Sequence, residues 1–203
     1  MFSPRKVAIG VMGSAGGTWP AEVLEKCRRL GRAIAERECV LITGACPGLP
    51  QEAVLGAQEV GGLIVGISPA MCLYEHQNYY ESPWEEYDVL IFTGSGLMGR
   101  EVAAVRTCDI VLVVGGRSGT LGEFAIAYDE SKLIGALRGT RGIADNLAEI
   151  HAMIHKETGA EILYDDDPQR LVDRCLTRHA ERIELGIYCK GPLREKERPE
   201  PEA

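Results

Sequence analysis

The sequence predicts a single doubly wound α/β domain, Rossmann-like, with about seven mostly parallel strands and helices on both faces of the sheet. Short apolar runs of strand length alternate with segments whose apolar residues recur at helical spacing. Four of these runs end in a glycine turn. The length of 203 residues suits one domain with a sizeable core.

The first half of the chain alternates strands and helices in a regular order. Apolar residues recur every three to four positions between residues 20 and 38, which is the spacing of an amphipathic helix. The stretches 39–43 and 89–92 are short and apolar and run into glycine turns, as expected of strands buried on both faces. The predicted strands are 5–12, 39–43, 63–67 and 89–92, and the predicted helices are 20–38, 51–59 and 97–107.

Residues 68–87 interrupt this order. They are polar and aromatic, with four tyrosines and one tryptophan, and they show no clear period. A loop of this length is usually functional. The sequence therefore predicts a long loop, whose tyrosines either stack on a base or cover an interface.

The second half of the chain contains the most apolar strand. Residues 110–114 are apolar throughout and stop at a glycine pair, and a helix is predicted to begin near Thr120. Asp167 followed by Pro168 is typical of a helix start. The tail is charged and proline-rich, so we expect a nucleotide-binding domain over residues 1–189 and disorder over residues 190–203. The other predicted strands are 133–137 and 161–164, and the other predicted helices are 145–158 and 168–185.

Composition and charge exclude several classes of protein. The formal net charge is -8, whereas a nucleic-acid or membrane-surface role requires a basic face. The apolar runs are too short to span a bilayer, and the N-terminal residues lack the layout of a signal peptide. The seven cysteines are scattered and form no C-x-x-C pair, which favours free thiols in a reducing compartment. We expect a cytoplasmic protein without nucleic-acid or membrane partners.

A strand, a glycine turn and a helix start follow one another directly at residues 110–120. The first N–H groups of a helix have no intrahelical partner, and the helix dipole adds partial positive charge there. Three further glycine turns are predicted at the same edge of the sheet, where α/β proteins bind ligands. The sequence therefore predicts a phosphate or nucleotide site. Its predicted residues are Gly13, Ser14, Gly44, Gly48, Gly115, Gly116, Arg117, Ser118, Gly119 and Thr120.

Other ligand classes fit the sequence less well. The glycines of the first turn are spaced G-x-x-G-x-x-G instead of the dinucleotide pattern, and the second strand ends in Thr43 where a ribose-binding acid is expected. The Walker A sequence is absent. His151 and His155 lack the glutamate of the H-E-x-x-H motif. We therefore expect no metal and no resident cofactor.

The turn after residues 110–114 resembles that of a known family. Residues 115–123, GGRSGTLGE, are similar to the P-G-G-x-G-T-x-x-E motif of the LOG proteins, cytokinin-activating phosphoribohydrolases long labelled lysine decarboxylase-like. The resemblance extends over residues 7–176, and Arg100 has the spacing of the family's active-site arginine. The segments TGSGLMGRE, GTLGEFAIAY and GTRGIAD are similar to a bacterial branch of nucleotide-binding proteins near the molybdenum-cofactor carrier proteins.

The resemblance implies a hydrolase that cuts the N-glycosidic bond of a nucleoside 5′-monophosphate, releasing free base and ribose 5-phosphate. In that reaction Glu123 would stabilise the ribosyl cation or orient the attacking water, and Arg100 would hold the ribose or the phosphate. Gly116, Gly119 and Thr120 would supply N–H and hydroxyl donors. The resemblance also implies a homodimer or higher homo-oligomer, with the helices after the fourth and fifth strands in the interface.

Two alternatives stay open. Thr120 and Glu123 also match a helix capping box, in which the glutamate only reaches back to the cap. The chain also departs from the family pattern at Gly115 for proline, Arg117 for the second glycine, and Glu101 for the lysine after the arginine. These departures leave open a binding protein without catalysis, which carries or senses a nucleotide or a pterin-type molybdenum cofactor.

Overall fold

The computed structural model describes residues 5–187, which contain one parallel sheet of seven strands. The strand order is β4-β3-β2-β1-β5-β6-β7, and every neighbouring pair is parallel. This confirms the predicted fold class; the tail predicted at residues 190–203 lies outside the described residues. The strands are β1 (Ala8–Gly13), β2 (Val40–Thr43), β3 (Leu63–Ser68), β4 (Val89–Phe92), β5 (Ile110–Val114), β6 (Leu133–Leu137) and β7 (Glu161–Asp165).

Helices cover both faces of the sheet and form two separate apolar cores with it. On one face α1, α2 and α7 contribute buried residues, and on the other α4, α5 and α6 do so. All five residues of β5 are fully buried between these layers, as the uninterrupted apolar run predicts. The helices are α1 (Ala21–Glu36), α2 (Leu49–Gln58), α3 (Leu73–Asn78), α4 (Gly96–Thr107), α5 (Ser118–Asp129), α6 (Gly142–Met153) and α7 (Pro168–Glu184).

The predicted long loop at 68–87 contains α3 and is organised around a buried histidine. The side chain of His76 is fully buried. Its Nε2 lies 3.0 Å from the carbonyl oxygen of Pro83 and therefore donates to it, so Nδ1 accepts from the Ser68 hydroxyl at 2.8 Å. The helix was missed because these contacts join distant parts of the segment and leave no periodic pattern.

The sixth helix begins and ends earlier than the prediction of residues 145–158. Its start is set by Asp145, whose carboxylate accepts hydrogen bonds from the amides of Gly139 and Arg141. Beyond Met153 the chain is drawn away from a helical path by two hydroxyl groups: Tyr128 donates to the Lys156 carbonyl at 2.7 Å, and Ser131 donates to the Thr158 carbonyl. Tertiary contacts, which local spacing does not report, decided both ends.

The last strand is fastened to α7 by arginines. Asp165, at the end of β7, accepts hydrogen bonds from Arg170 and Arg174 of α7. These bonds hold the pKa of its carboxyl well below the usual range, the Arg170 bond contributing most. This ion cluster closes the edge of the sheet opposite β4.

The order of strands in the sheet changes direction between β1 and β5, although all strands stay parallel. Strands β2, β3 and β4 follow on one side of β1, and β5, β6 and β7 lie on the other. At such a switch point the loops after the two central strands diverge and leave a crevice, where α/β proteins bind ligands. Within residues 5–187 no helix has both the length and the apolar character needed to cross a bilayer.

Candidate functional site

The turn after β5 lies at the switch point and is braced by its neighbours. Gly116 has φ of 108°, a conformation that a side chain would strain. Its amide donates to the Ser14 hydroxyl at 2.9 Å, and the amide of Gly115 donates to the Thr140 hydroxyl, also at 2.9 Å. The carbonyls of the glycine pair accept from the amides of residues 143 and 144, in the first turn of α6. The turn is therefore held from β1, β6 and α6.

These bonds correct one part of the predicted site. The amide of Gly116 was expected to donate to a ligand, but it is used inside the protein by Ser14, whose side chain is only 2% exposed. Gly115 is committed in the same way to Thr140. The two glycines and Ser14 build the turn, and the donors that face outward lie further along the chain.

The start of α5 carries the free donors. The first bond of the helix runs from the Leu121 amide to the Arg117 carbonyl at 3.0 Å. Among the described residues, the three amides before it, at Ser118, Gly119 and Thr120, have no acceptor. Unpaired N–H groups at the positive end of a helix dipole are favourable for an anion. These three residues are among those predicted to bind phosphate, which stays a prediction.

The capping-box alternative for Thr120 and Glu123 is wrong. The cap position of α5 is occupied by Arg117, and no side chain caps the helix. Thr120 is the third residue of the helix and is buried at 3% exposure, with its hydroxyl unbonded to any described residue. Glu123 therefore has another reason to be buried.

The other predicted glycines permit close approaches between loops. A Cβ atom at Gly48 would overlap the Ser14 carbonyl, and its φ of 95° also suits glycine. A Cβ atom at Gly13 would overlap the carbonyl of Val114, across the switch point. A Cβ atom at Gly44 would overlap the guanidinium of Arg100. These glycines therefore shape the crevice.

Arg117 spans the mouth of the crevice. Its side chain is exposed, and Nη2 donates to the Gly16 carbonyl in the loop after β1, at 3.4 Å. It forms no ion pair with any described residue. A guanidinium with one long hydrogen bond keeps its other donors for an anionic ligand.

Arg100 is buried and forms no ion pair with any described residue. It lies near the start of α4 and is 7% exposed; Nη1 donates to the Ile67 carbonyl at 3.1 Å, and Nη2 contacts Sγ of Cys46 at 3.3 Å. Its Nε is buried with no hydrogen-bond partner, and among the residues that the structure describes it forms no ion pair. A buried cation with an unmet donor is costly unless an anion completes it. The unmet Nε of Arg100 therefore favours an anionic group beside it.

Glu123 faces the same place from α5. It is 7% exposed, and burial raises the pKa of its carboxyl to about 7. Arg100 opposes this rise and Glu101 adds to it, so the three charged groups lie close enough to influence one another. A carboxyl of this pKa beside an unpaired arginine in a crevice is typical of a functional site.

Several residues of the site escaped the sequence analysis. Glu101 is only 7% exposed, and burial raises the pKa of its carboxyl. Cys46 is buried against Arg100, and Thr140 holds the glycine turn. No signal in the sequence marked Cys46 or Thr140. Glu101 was noted only as a departure from the family pattern beside Arg100, not as a site residue.

No metal site accompanies these groups. Within the described part of the chain, no cluster of three or more histidine, cysteine or acidic residues could hold a metal ion. Nε2 of His151 lies 3.2 Å from the hydroxyl of Tyr128, so this histidine packs against its neighbouring helix.

One family model and one curated relative match the chain. A family model described as LDcluster4, the SLOG cluster4 family, matches residues 6–172. An uncharacterised protein of Archaeoglobus fulgidus is 35% identical over 137 residues, which cover 66% of this chain and 82% of that protein.

Solved structures share the architecture. The molybdenum cofactor binding protein from the phototrophic bacterium Rippkaea orientalis is 28% identical with a TM-score of 0.71, and the match covers 87% of this chain and 99% of that one. The molybdenum cofactor carrier protein from Chlamydomonas reinhardtii is 27% identical with a TM-score of 0.67, and the match covers 85% of this chain and 99% of that one.

Proposed function

This chain belongs to the SLOG cluster4 family, and we propose that it binds a nucleoside 5′-monophosphate and hydrolyses its N-glycosidic bond to free base and ribose 5-phosphate. The single observation that supports this most is Arg100, a buried arginine with an unmet Nε and no ion pair among the described residues. Together with the free amides at the start of α5, it calls for an anionic ligand.

The phosphate and the sugar would be held at two neighbouring places. The amides of Ser118, Gly119 and Thr120 bind the phosphate, and Arg117 closes over it from the mouth of the crevice. Arg100 contacts the ribose or a phosphate oxygen from the side of β3. Firm anchoring of the non-reacting part positions the bond to be broken.

The chemistry follows from the charge that develops on the sugar. The bond between C1′ and the base breaks through an oxocarbenium-like state, as in other glycoside hydrolysis. Glu123 stabilises that cation or orients the water that attacks C1′. Its burial strengthens either effect because little solvent screens the charge.

The test uses AMP and cytokinin-type monophosphates, with free base and ribose 5-phosphate as the measured products. The variant Glu123→Ala should lower the rate about a hundredfold or more, the scale for losing a preorganised charged group. The control, Glu149→Ala, removes an exposed carboxylate on α6 and should leave the rate unchanged. Wild-type turnover by Glu123→Ala would end the assignment of this residue.

A second candidate is a carrier that binds without catalysis. The likeness to proteins named for binding or carrying the molybdenum cofactor favours it, and a pterin-type cofactor with an anionic group would suit the same cradle. AMP or a pterin phosphate would then raise the melting temperature of the protein without yielding product. Release of free base would exclude this candidate.

The proposal includes a cytoplasmic homodimer without nucleic-acid or membrane partners. The net charge of -8 supports the last point. Met98 and Val102 of α4 and Leu121 of α5 are exposed apolar side chains on neighbouring helices. A shallow cavity of about 290 Å³ lies between these helices and is lined in part by Val102 and Ile126. Such a surface suits a second copy of the chain.

A further inference from the structure

Glu101 lies in the site and has no hydrogen-bonding partner among the described residues. Its side chain extends from α4 onto the first turns of α5, where a Cβ atom at Gly119 would lie 3.5 Å from Oε1 and one at Gly122 would lie 3.0 Å from Oε2. The absence of side chains at these two positions leaves room for the carboxyl group. Glu123 follows Gly119 by one helical turn and therefore lies on the face of α5 that Glu101 covers, with its side chain leaning toward Gly119. Within residues 5–187 Glu101 forms no hydrogen bond and no ion pair. A glutamate that is 7% exposed normally has a partner, so its placement needs an explanation.

The charges around Glu101 do not balance when every group is ionised. Arg100 contributes one positive charge, and Glu101 and Glu123 contribute two negative ones, all on side chains less than a tenth exposed. The thiol of Cys46 in the loop after β2 and the phenol of Tyr87 also lie within electrostatic reach of Arg100. Burial raises the pKa of both groups, so both are neutral. An uncompensated negative charge in a poorly hydrated place is unfavourable, and one proton on the carboxyl pair removes it.

We propose that Glu101 and Glu123 share one proton at neutral pH, that Glu101 keeps this proton on Glu123, and that Glu123 delivers it to the departing base. Glu101 is a positioning residue, since it acts on the proton of its neighbour. The inference rests on the proposed hydrolysis for its chemical step, whereas the shared proton is a property of the free protein.

The step is balanced. The electron pair of the C1′–N bond moves to the base, and a ring nitrogen of the base accepts the proton of Glu123. Once Glu123 has given up its proton, its carboxylate faces the ribosyl cation, which is the role proposed for it above. Water then adds to C1′ and loses a proton, which returns to the carboxylate pair. The products are the neutral base and ribose 5-phosphate, and the enzyme regains its starting protonation. General acid catalysis of this kind contributes about 10²- to 10⁴-fold.

The first experiment measures the pH dependence of AMP hydrolysis in the wild type and in Glu101→Gln. Activity should fall as the pH rises through the pKa of Glu123, near 7 in the wild type, because the acid form is required. Glu101→Gln removes the like charge, so this fall should move to lower pH and the rate at pH 8 should drop about threefold or more.

Two controls separate this role from a structural one. Glu101→Asp keeps the charge and should keep the fall in activity closer to the wild-type pH. Glu149→Gln removes an equal charge from an exposed site on α6 and should leave the profile unchanged. A lower rate in Glu101→Gln with an unmoved pH profile would overturn the proposal, because a packing defect would have that result.

The second experiment is independent of hydrolysis. Carbon-13 NMR of glutamate-labelled protein follows the side-chain carboxyl signals with pH, and the variants Glu101→Gln and Glu123→Gln assign the two signals. We expect one of the pair to titrate near neutral pH, and its midpoint to fall in Glu101→Gln. Two carboxyl groups that both titrate at ordinary acidic values would overturn the shared proton.

The two experiments together distinguish the possible failures. Absence of AMP hydrolysis with a neutral titration that depends on Glu101 means that the proposed hydrolase is wrong and the proton pair is right. Hydrolysis with an unchanged pH profile and with carboxyl titrations at ordinary acidic values means that the proposed hydrolase is right and the proton pair is wrong.

Discussion

Replacing Arg100 with methionine distinguishes the effect of this residue on folding stability from its effect on ligand binding. The substitution removes two hydrogen bonds from a charged donor, each worth about 1.5 kcal/mol at the low end. It also relieves the desolvation of an ion that has no partner, a penalty of several kcal/mol. Because these effects oppose one another, we expect the free energy of unfolding without ligand to change by no more than about 1 kcal/mol.

The effect on binding should be large. If Arg100 is held in place for an anion, Arg100→Met should weaken AMP binding about tenfold to a hundredfold, the value of one charge-assisted hydrogen bond or more. Urea unfolding with and without AMP measures both quantities. At a concentration a hundred times the dissociation constant, AMP should stabilise the wild type by about 2.7 kcal/mol and should stabilise the variant much less.

A paired arginine supplies the matched control. Arg28 on α1 contacts the carboxylate of Glu52 at 2.7 Å and lies on the opposite face of the sheet from α4 and α5. Arg28→Met should leave the stabilisation by AMP unchanged. The reasoning would be refuted if Arg100→Met lost about 3 kcal/mol or more without ligand, as breaking a buried ion pair does, while AMP stabilised it as fully as the wild type.

Two further outcomes are expected from parts of the fold outside the crevice. Asp165→Asn should lower the free energy of unfolding by about 2 kcal/mol at pH 7, through loss of the bonds from Arg170 and Arg174. Those bonds lower the pKa of Asp165 in the folded protein, so they stabilise the fold at pH values above about 3.8, the pKa of the unfolded chain, and this stabilisation is lost at lower pH. Urea unfolding should therefore show the free energies of unfolding of the two proteins converging as the pH falls. Val102→Asp should lower the molar mass measured by light scattering to that of a monomer. The control Met153→Asp, at an exposed position on α6, should leave the molar mass unchanged. A dimeric Val102→Asp variant would contradict the proposed interface.

The strands were predictable because each is a short apolar run whose burial decides its structure. Ile110–Val114 and Leu133–Leu137 agree with the prediction to the residue. The ends of α6 and the whole of α3 were not predictable, because hydroxyl and imidazole groups distant in sequence decide them. Local periodicity contains no information about such bonds.

The candidate site was predictable in its glycines and less so in its charges. Glycine turns before helices predicted the phosphate cradle, and among the described residues the amides of Gly119 and Thr120 have no acceptor. The commitment of the Gly116 amide to Ser14 joins residues about a hundred positions apart, which no spacing rule reveals. Glu101 was overlooked as a site residue because a charged residue on an amphipathic helix is normally solvent-facing.

The bracing of the glycine turn from β1, β6 and α6 has an evolutionary consequence. A substitution in these segments or in the loops next to them, such as at Thr140, would change the shape of the glycine turn from a distance. Selection would therefore act on such positions as it does on the residues of the crevice. Related proteins can change their ligand specificity most readily through side chains that do not take part in these bonds. Arg117, tethered by one long bond, is the first place to look for divergence between relatives.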